Sequence, residues 1–179
     1  ISREVSDGQY TEHFEPRRAK WVRLTVTATD ATSEGPAFDE IEVWTAAQSG
    51  SAPQLVSLAT QGAKATSSGA AAQLGSKNEF LNDGAFGKDS TWVASVRPPA
   101  WAQIELKEPA LISRVVWSRD RVLAKTNQDA HAIRLTSEWR VEVAEKQGEW
   151  RSVVARTEGL DADAIQTLHG LEAELAKLR

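Results

Sequence analysis

Apolar and polar residues alternate in several separate stretches of this chain, and the period is two. In Trp21-Val22-Arg23-Leu24-Thr25-Val26-Thr27 the bulky positions are Val22, Leu24 and Val26, with a polar residue after each. That pattern, rich in β-branched residues, predicts a half-buried strand with those three side chains inward. Phe38, Ile41 and Val43 continue the same logic after the turn-rich stretch 30–36, so 12–46 reads as a β-hairpin with a long loop. Four further strands are predicted at 102–106, 112–117, 139–143 and 150–155, the last two joined by a turn at 146–148. Weaker strand signals lie at 54–59 and 63–67. The small, polar run TAAQSGSAPQ (45–54) reads as a linker, with 47–53 at its centre.

Two regions carry no strand pattern. Residues 68–99 and 119–136 read as long loops, the places on a rigid scaffold where binding usually sits. The tail changes period instead. Leu168, Leu171, Leu175 and Leu178 form a leucine seam at helical spacing, with Asp161 as N-cap and Asp163 in the first turn. Residues 158–179 are therefore predicted as a C-terminal α-helix. Gly170 weakens it, and so short a helix needs a partner in water. Docking on its own domain and continuing as a coiled coil are both open.

Composition narrows the class. Charged residues are 26% and hydrophobic ones 41%, as in a soluble globular protein. Net charge is −4, which gives no overall attraction to nucleic acid or an anionic membrane. No apolar run approaches the roughly 18 residues of a bilayer span. The chain begins with Ile1 and contains no Met, so it reads as a piece of a longer protein. With no Cys, disulfides, thiolate metal sites and thiol nucleophiles are excluded. Seven Trp stand against one Tyr. Trp92, Trp101, Trp117 and Trp139 sit where core or strand edge is expected, leaving no obvious aromatic plate for a sugar.

The segments LNDGAFGKDSTW (81–92), WAQIEL (101–106), ISRVVWSRDR (112–121), EWRVEVAEKQGEW (138–150), AKWVRLTVTATD (19–30) and FDEIEVW (38–44) together resemble the discoidin domain, or coagulation-factor C-type domain. The resemblance covers 12–157. It implies an all-β, galactose-binding-like fold, an eight-stranded jelly-roll β-sandwich. The order departs from the family, whose Trp-Val-Arg-Leu and Glu-Ile-Glu-Val strands come last. Here they come first, as in a circular permutation with 47–53 joining the old ends. The alternative, the tail of one module followed by an incomplete second one, leaves open cores and exposed edges. Similar modules occur inside large planctomycete-type multidomain proteins, which implies a bacterial, extracytoplasmic setting, periplasmic or secreted.

The resemblance also implies sites. In the family the Asn-Asp-Gly loop wraps a structural Ca²⁺. Carried over, Asp83 and Thr91 serve from the loop, Leu81 and Phe86 give backbone oxygens, and Glu40 comes from the hairpin with Asp39 and Glu42 beside it. The inserted Phe86-Gly87 alters the loop's spacing, and Asp83-Gly84 also makes an ordinary Asx-turn without metal. Ligand loops of the family correspond to 67–78 and 119–136. Arg119, Asp120, Arg121, Asn127 and His131 are the residues there that suit a carbohydrate, although Arg119-Asp120-Arg121 also suits an internal ion-pair cluster. No catalytic motif emerges: the three His residues are scattered, and GAFGK (84–88) is too short for a phosphate loop. The expected role is a non-catalytic, carbohydrate-binding accessory module of a larger protein. The second expectation is a structural or protein-interaction domain that positions its neighbours.

Overall fold

A computed structural model describes residues 3–6, 9–29, 35–118 and 136–157. Among the described residues nine strands run in the order β1 (Arg3–Ser6), β2 (Gln9–Thr29), β3 (Ala37–Phe38), β4 (Glu40–Thr45), β5 (Lys64–Ser67), β6 (Trp92–Val93), β7 (Ala100–Ser118), β8 (Thr136–Ala144) and β9 (Arg151–Arg156). Every pairing is antiparallel. One seven-stranded sheet follows the order β4-β7-β2-β8-β9, with β1 on β2 and β5 on β7. β3 and β6 form a separate two-stranded sheet. The predicted C-terminal helix, 158–179, lies outside the described residues, as does most of the loop 119–136 with Arg119, Asp120, Arg121, Asn127 and His131.

The N-terminal stretch supplies the middle of the sheet. Val22, Leu24 and Val26 pair with Ile104, Ala102 and Ala100 on one side and with Val143, Val141 and Trp139 on the other. All three are buried. The expected hairpin over 12–46 is a correction, however. β2 and β4 flank β7 on opposite edges and do not pair with each other. Turn signals between two strands say that the chain reverses, not that the strands become neighbours.

Two strands predicted as separate, 102–106 and 112–117, are one long strand, β7. Its register against β2 slips where Ala19 pairs Ala110 but Trp21 pairs Glu105, and a second slip falls between His13 and Arg17. Pro109 and Pro16 sit in those interruptions. Proline has no N–H to give a ladder, so it is confined to edges and irregularities, and extra residues on one strand bend the pair. The bend is large. Tyr10 and Val26 are 16 positions apart on β2, about 50 Å if extended. Yet the Tyr10 ring lies 5.2 Å from Trp139, the partner of Val26. The sheet thus curls, and one apolar cluster collects Leu24, Phe38, Ile41, Leu81, Trp92, Ile104, Trp117 and Trp139.

The stretch read as a linker is a turn. Gln48 and Ser51 bond each other's backbones, and Gly50 takes φ +81°. The chain returns beside β4, with Thr45 N–H donating to Gln54 O at 2.9 Å and Val56 N–H to Val43 O at 2.9 Å. The weak strand signal at 54–59 amounts to this short return, whereas 64–67 is a true strand, β5. The loop 68–99 contains three short 3-10 turns, at Ala72–Leu74, Asn78–Leu81 and Lys88–Ser90. Phe38 stacks on Trp92 (5.4 Å, 14°), and together they clip the end of this loop to the start of β4.

Candidate functional site

The loop after Leu81 is fastened from three directions. At its base, Asn82 is buried, and its Nδ2 donates to Ser57 O at 2.8 Å and Ala63 O at 3.4 Å. Its own carbonyl accepts from Ala59 N–H at 2.8 Å. At its middle, Gly84 N–H donates to Glu40 Oε2 at 3.0 Å, and Gly84 needs its φ of +80° to present that amide. At its end, Gly87 N–H donates to Asp39 Oδ2 at 3.2 Å and the Thr91 hydroxyl meets Asp39 Oδ1 at 2.7 Å. Thr91 Oγ1 also lies 3.0 Å from Gly87 O.

Asp39 and Glu40 are 0% and 1% exposed. Adjacent residues of a strand point to opposite faces, so two neighbouring carboxylates seldom serve one loop. They do here because Asp39 occupies the bend between β3 and β4, outside the alternation. Burying a carboxylate is costly unless hydrogen bonds compensate it. Charge-assisted bonds from backbone amides supply that compensation at roughly 1.5–3 kcal/mol each.

The residues carried over for a metal are only partly brought together. Glu40 and Thr91 both fasten this loop, Glu40 through Gly84 N–H and Thr91 through Asp39. Asp83 does not: it is exposed, and its Oδ1 accepts from Ala85 N–H at 2.8 Å, the Asx-turn that needs no cation. Leu81 sends its side chain into the core, and Phe86 is 37% exposed. Glu42 lies on the same strand and accepts from Trp44 Nε1 at 3.0 Å. No group of three or more His, Cys, Asp or Glu side chains suited to a metal occurs among the described residues.

A second locus lies on the outer face of the sheet. Alternation that buries Val22, Leu24, Ala102 and Ile104 turns Trp21, Arg23, Trp101 and Gln103 outward. The Arg23 guanidinium lies between two indoles, 4.5 Å from the Trp101 ring and 4.1 Å from the Trp150 ring. Its Nη2 and Nε donate to Gln103 Oε1 at 2.8 and 3.3 Å. One strand over, Thr25 Oγ1 donates to Glu142 Oε2 at 2.9 Å, and Arg140 Nε lies 3.1 Å from the same oxygen. Burial pushes the Arg23 guanidinium below its ordinary value; Glu142 opposes that fall and Arg140 adds to it. Trp21, Trp101 and Trp150 are half-buried, each with part of its surface open.

Trp101, expected at the core or a strand edge, lies instead on the outward face, where it and Trp150 hold the Arg23 guanidinium over their rings. Parity was the missed signal. In WAQIEL, if Ile104 and Ala102 face in, Trp101 shares the outward register of Gln103. Trp150 carried no such signal, because it lies in the turn before β9 and only tertiary folding brings it over Arg23.

Compared with protein-family models, curated proteins and solved structures, the chain matches none.

Proposed function

We propose that the chain is a non-catalytic carbohydrate-binding module of a larger extracytoplasmic bacterial protein, a permuted jelly-roll sandwich of discoidin type. The observation that carries this reading is the outer sheet face, where the half-buried Trp101 and Trp150 frame Arg23 above the buried Gln103, Thr25 and Glu142. Sugars present apolar C–H faces and hydroxyl edges; the open parts of the two indoles suit the first, and the part-exposed Arg23 guanidinium, with five N–H donors, suits the second. The curled sheet supports the sandwich reading, since residues far apart along β2 share one core.

Affinity electrophoresis of the intact chain through gels containing neutral or acidic polysaccharides tests this. Trp150→Ala should weaken the best ligand about tenfold, a loss of ~1.4 kcal/mol, with the melting temperature nearly unchanged. Trp150→Phe should recover part of it. If no polysaccharide retards the protein, or Trp150→Ala binds as wild type, the reading is lost.

A second reading has its own support. Arg23, Gln103, Thr25, Glu142 and Arg140 already engage one another, as groups would in a surface built for rigidity. On that view the module fixes the geometry of neighbouring domains, and the same gels show no retardation.

We place a structural Ca²⁺ at the latch. Ca²⁺ takes oxygen ligands from carboxylates, hydroxyls and backbone carbonyls, and Asp39, Glu40 and Thr91 all bring oxygens to this one loop. Asp39, Glu40, the Thr91 hydroxyl and the Gly87 carbonyl are the oxygens that would hold it. The ion would add rigidity to the loop. Ca²⁺ at about 100 times its Kd should stabilise by ~2.7 kcal/mol, raising Tm by roughly 5–10 °C. Asp39→Asn should abolish the rise and Asp83→Ala should keep it. A Tm indifferent to Ca²⁺ removes the metal and leaves the hydrogen-bonded latch.

A further inference from the structure

Three lysines converge at the edge of the same outer face. Lys20 on β2, Lys64 on β5 and Lys107 on β7 line a cleft of about 180 Å³, closed by Gly62, Glu105 and the Leu106 segment. The register explains the convergence. Lys64 pairs with Glu105, and Glu105 pairs with Trp21 on the other side. The slip between Ala19 and Trp21 leaves Lys20 opposite the extra residues of β7, which carry Lys107 to the same place. Gly62, at φ +91°, packs against the Lys107 stem; a Cβ there would approach Lys107 Cδ to 3.2 Å.

The charges in the cleft do not cancel. One carboxylate, Glu105, lies 3.5 Å from Lys20 Nζ. Lys64 and Lys107 extend the positive charge, so three cations face one anion in a chain whose net charge is −4. Arg18, the next cation along β2, is already matched by Glu145 at 3.7 Å. Like charges gathered beside a cleft repel one another, and an oxyanion placed among them relieves that repulsion. The cleft is below the ~300–1,000 Å³ that enclose a drug-sized ligand. It suits one charged substituent of a larger molecule. Trp21 joins the cleft to the polar and aromatic array, with Lys20 Nζ 5.4 Å from its ring.

We propose that this cleft is an anion subsite, taking a sulfate or carboxylate substituent of an acidic polysaccharide laid across the outer face. The proposal rests on the carbohydrate reading and names its substrate class. A nucleic acid is the poorer fit, because the positive patch is one small cleft on an acidic protein and not a track for a phosphate backbone.

The test uses the intact chain in affinity gels containing dextran sulfate, polygalacturonate or neutral dextran, with duplex DNA as a separate arm. Lys64→Gln/Lys107→Gln should bind the acidic polymer about five- to tenfold more weakly, the scale of two solvent-screened charge contacts. Lys77→Gln/Arg97→Gln, an exposed charge-matched pair away from the cleft, should bind as wild type. Preference for dextran sulfate or for polygalacturonate assigns the substituent. Unchanged binding in the Lys64/Lys107 variant, or an equal loss in both variants, overturns the subsite. DNA binding that depends equally on Lys64 and Lys107 overturns the glycan assignment. Acidic-polymer binding that needs these lysines but not Trp150 keeps the cleft and removes the aromatic platform of the parent reading.

Discussion

Trp117→Ala should destabilise the fold by about 4–5 kcal/mol, the upper part of the range for truncating a buried tryptophan. Trp117 is 1% exposed. Its ring stacks on Tyr10 at 5.3 Å with 2° between planes and meets Trp139 edge-on at 5.4 Å. Its Nε1 donates to Thr136 Oγ1 at 3.3 Å, while Tyr10 Oη donates to Thr136 O at 3.0 Å. Thus β2, β7 and β8 meet in one cluster of three rings. Each aromatic pair adds ~0.5–1.5 kcal/mol beyond its buried area. The lost side chain also leaves a cavity beneath strands that are already bent. For a domain with a typical stability of ~5–15 kcal/mol, Tm should fall by roughly 10–20 °C. Trp117→Phe, which keeps a ring against Tyr10 and loses the Nε1 bond, should cost about 1–2 kcal/mol. Chemical denaturation of both variants measures this. A Trp117→Ala protein within 1 kcal/mol of wild type would show that the cluster does not hold the curled sheet closed.

The second large effect belongs to Asp39. Asp39→Ala removes the acceptor of Gly87 N–H and of the Thr91 hydroxyl. Two charge-assisted bonds are lost at a part-buried site, with Thr91 keeping only its contact to Gly87 O. The expected cost is about 3–4 kcal/mol. Asp39→Asn keeps one acceptor oxygen and should lose about half as much. Hydrogen exchange localises the damage: the Gly87 amide should exchange much faster in Asp39→Ala, while amides of Val22 to Val26 change only with global stability. Asp83→Ala is the contrast. That carboxylate is exposed and holds only Ala85 N–H, so the expected loss is under about 1 kcal/mol. Equal effects at Asp39 and Asp83 would contradict the latch.

The sequence-based choice of Asp83 over Asp39 is instructive. Asp83 sits in the recognisable Asn-Asp-Gly motif, and the motif does form its turn. Which carboxylate faces the loop depends on the bend before β4, and no local pattern reports that bend. Glu40 was legible because its strand was. Arg119 to His131, the other expected contacts, lie outside the described residues.

Strand content and inward faces were written in the chain itself. A period of two is a local property: each apolar side chain of Val22-x-Leu24-x-Val26 needs one buried face, whichever strand lies beside it. Neighbour relations were not written there. β4 sits across β7 from β2, the linker closes as a turn, and 102–117 runs as one bent strand. Each depends on contacts between residues far apart in sequence, and on two prolines that mark where a ladder can slip without saying which way it folds. Likewise alternation could send Trp101 outward, but only the packing of the turn before β9 places Trp150 on Arg23, and only the slipped register gathers Lys20, Lys64 and Lys107 at one edge.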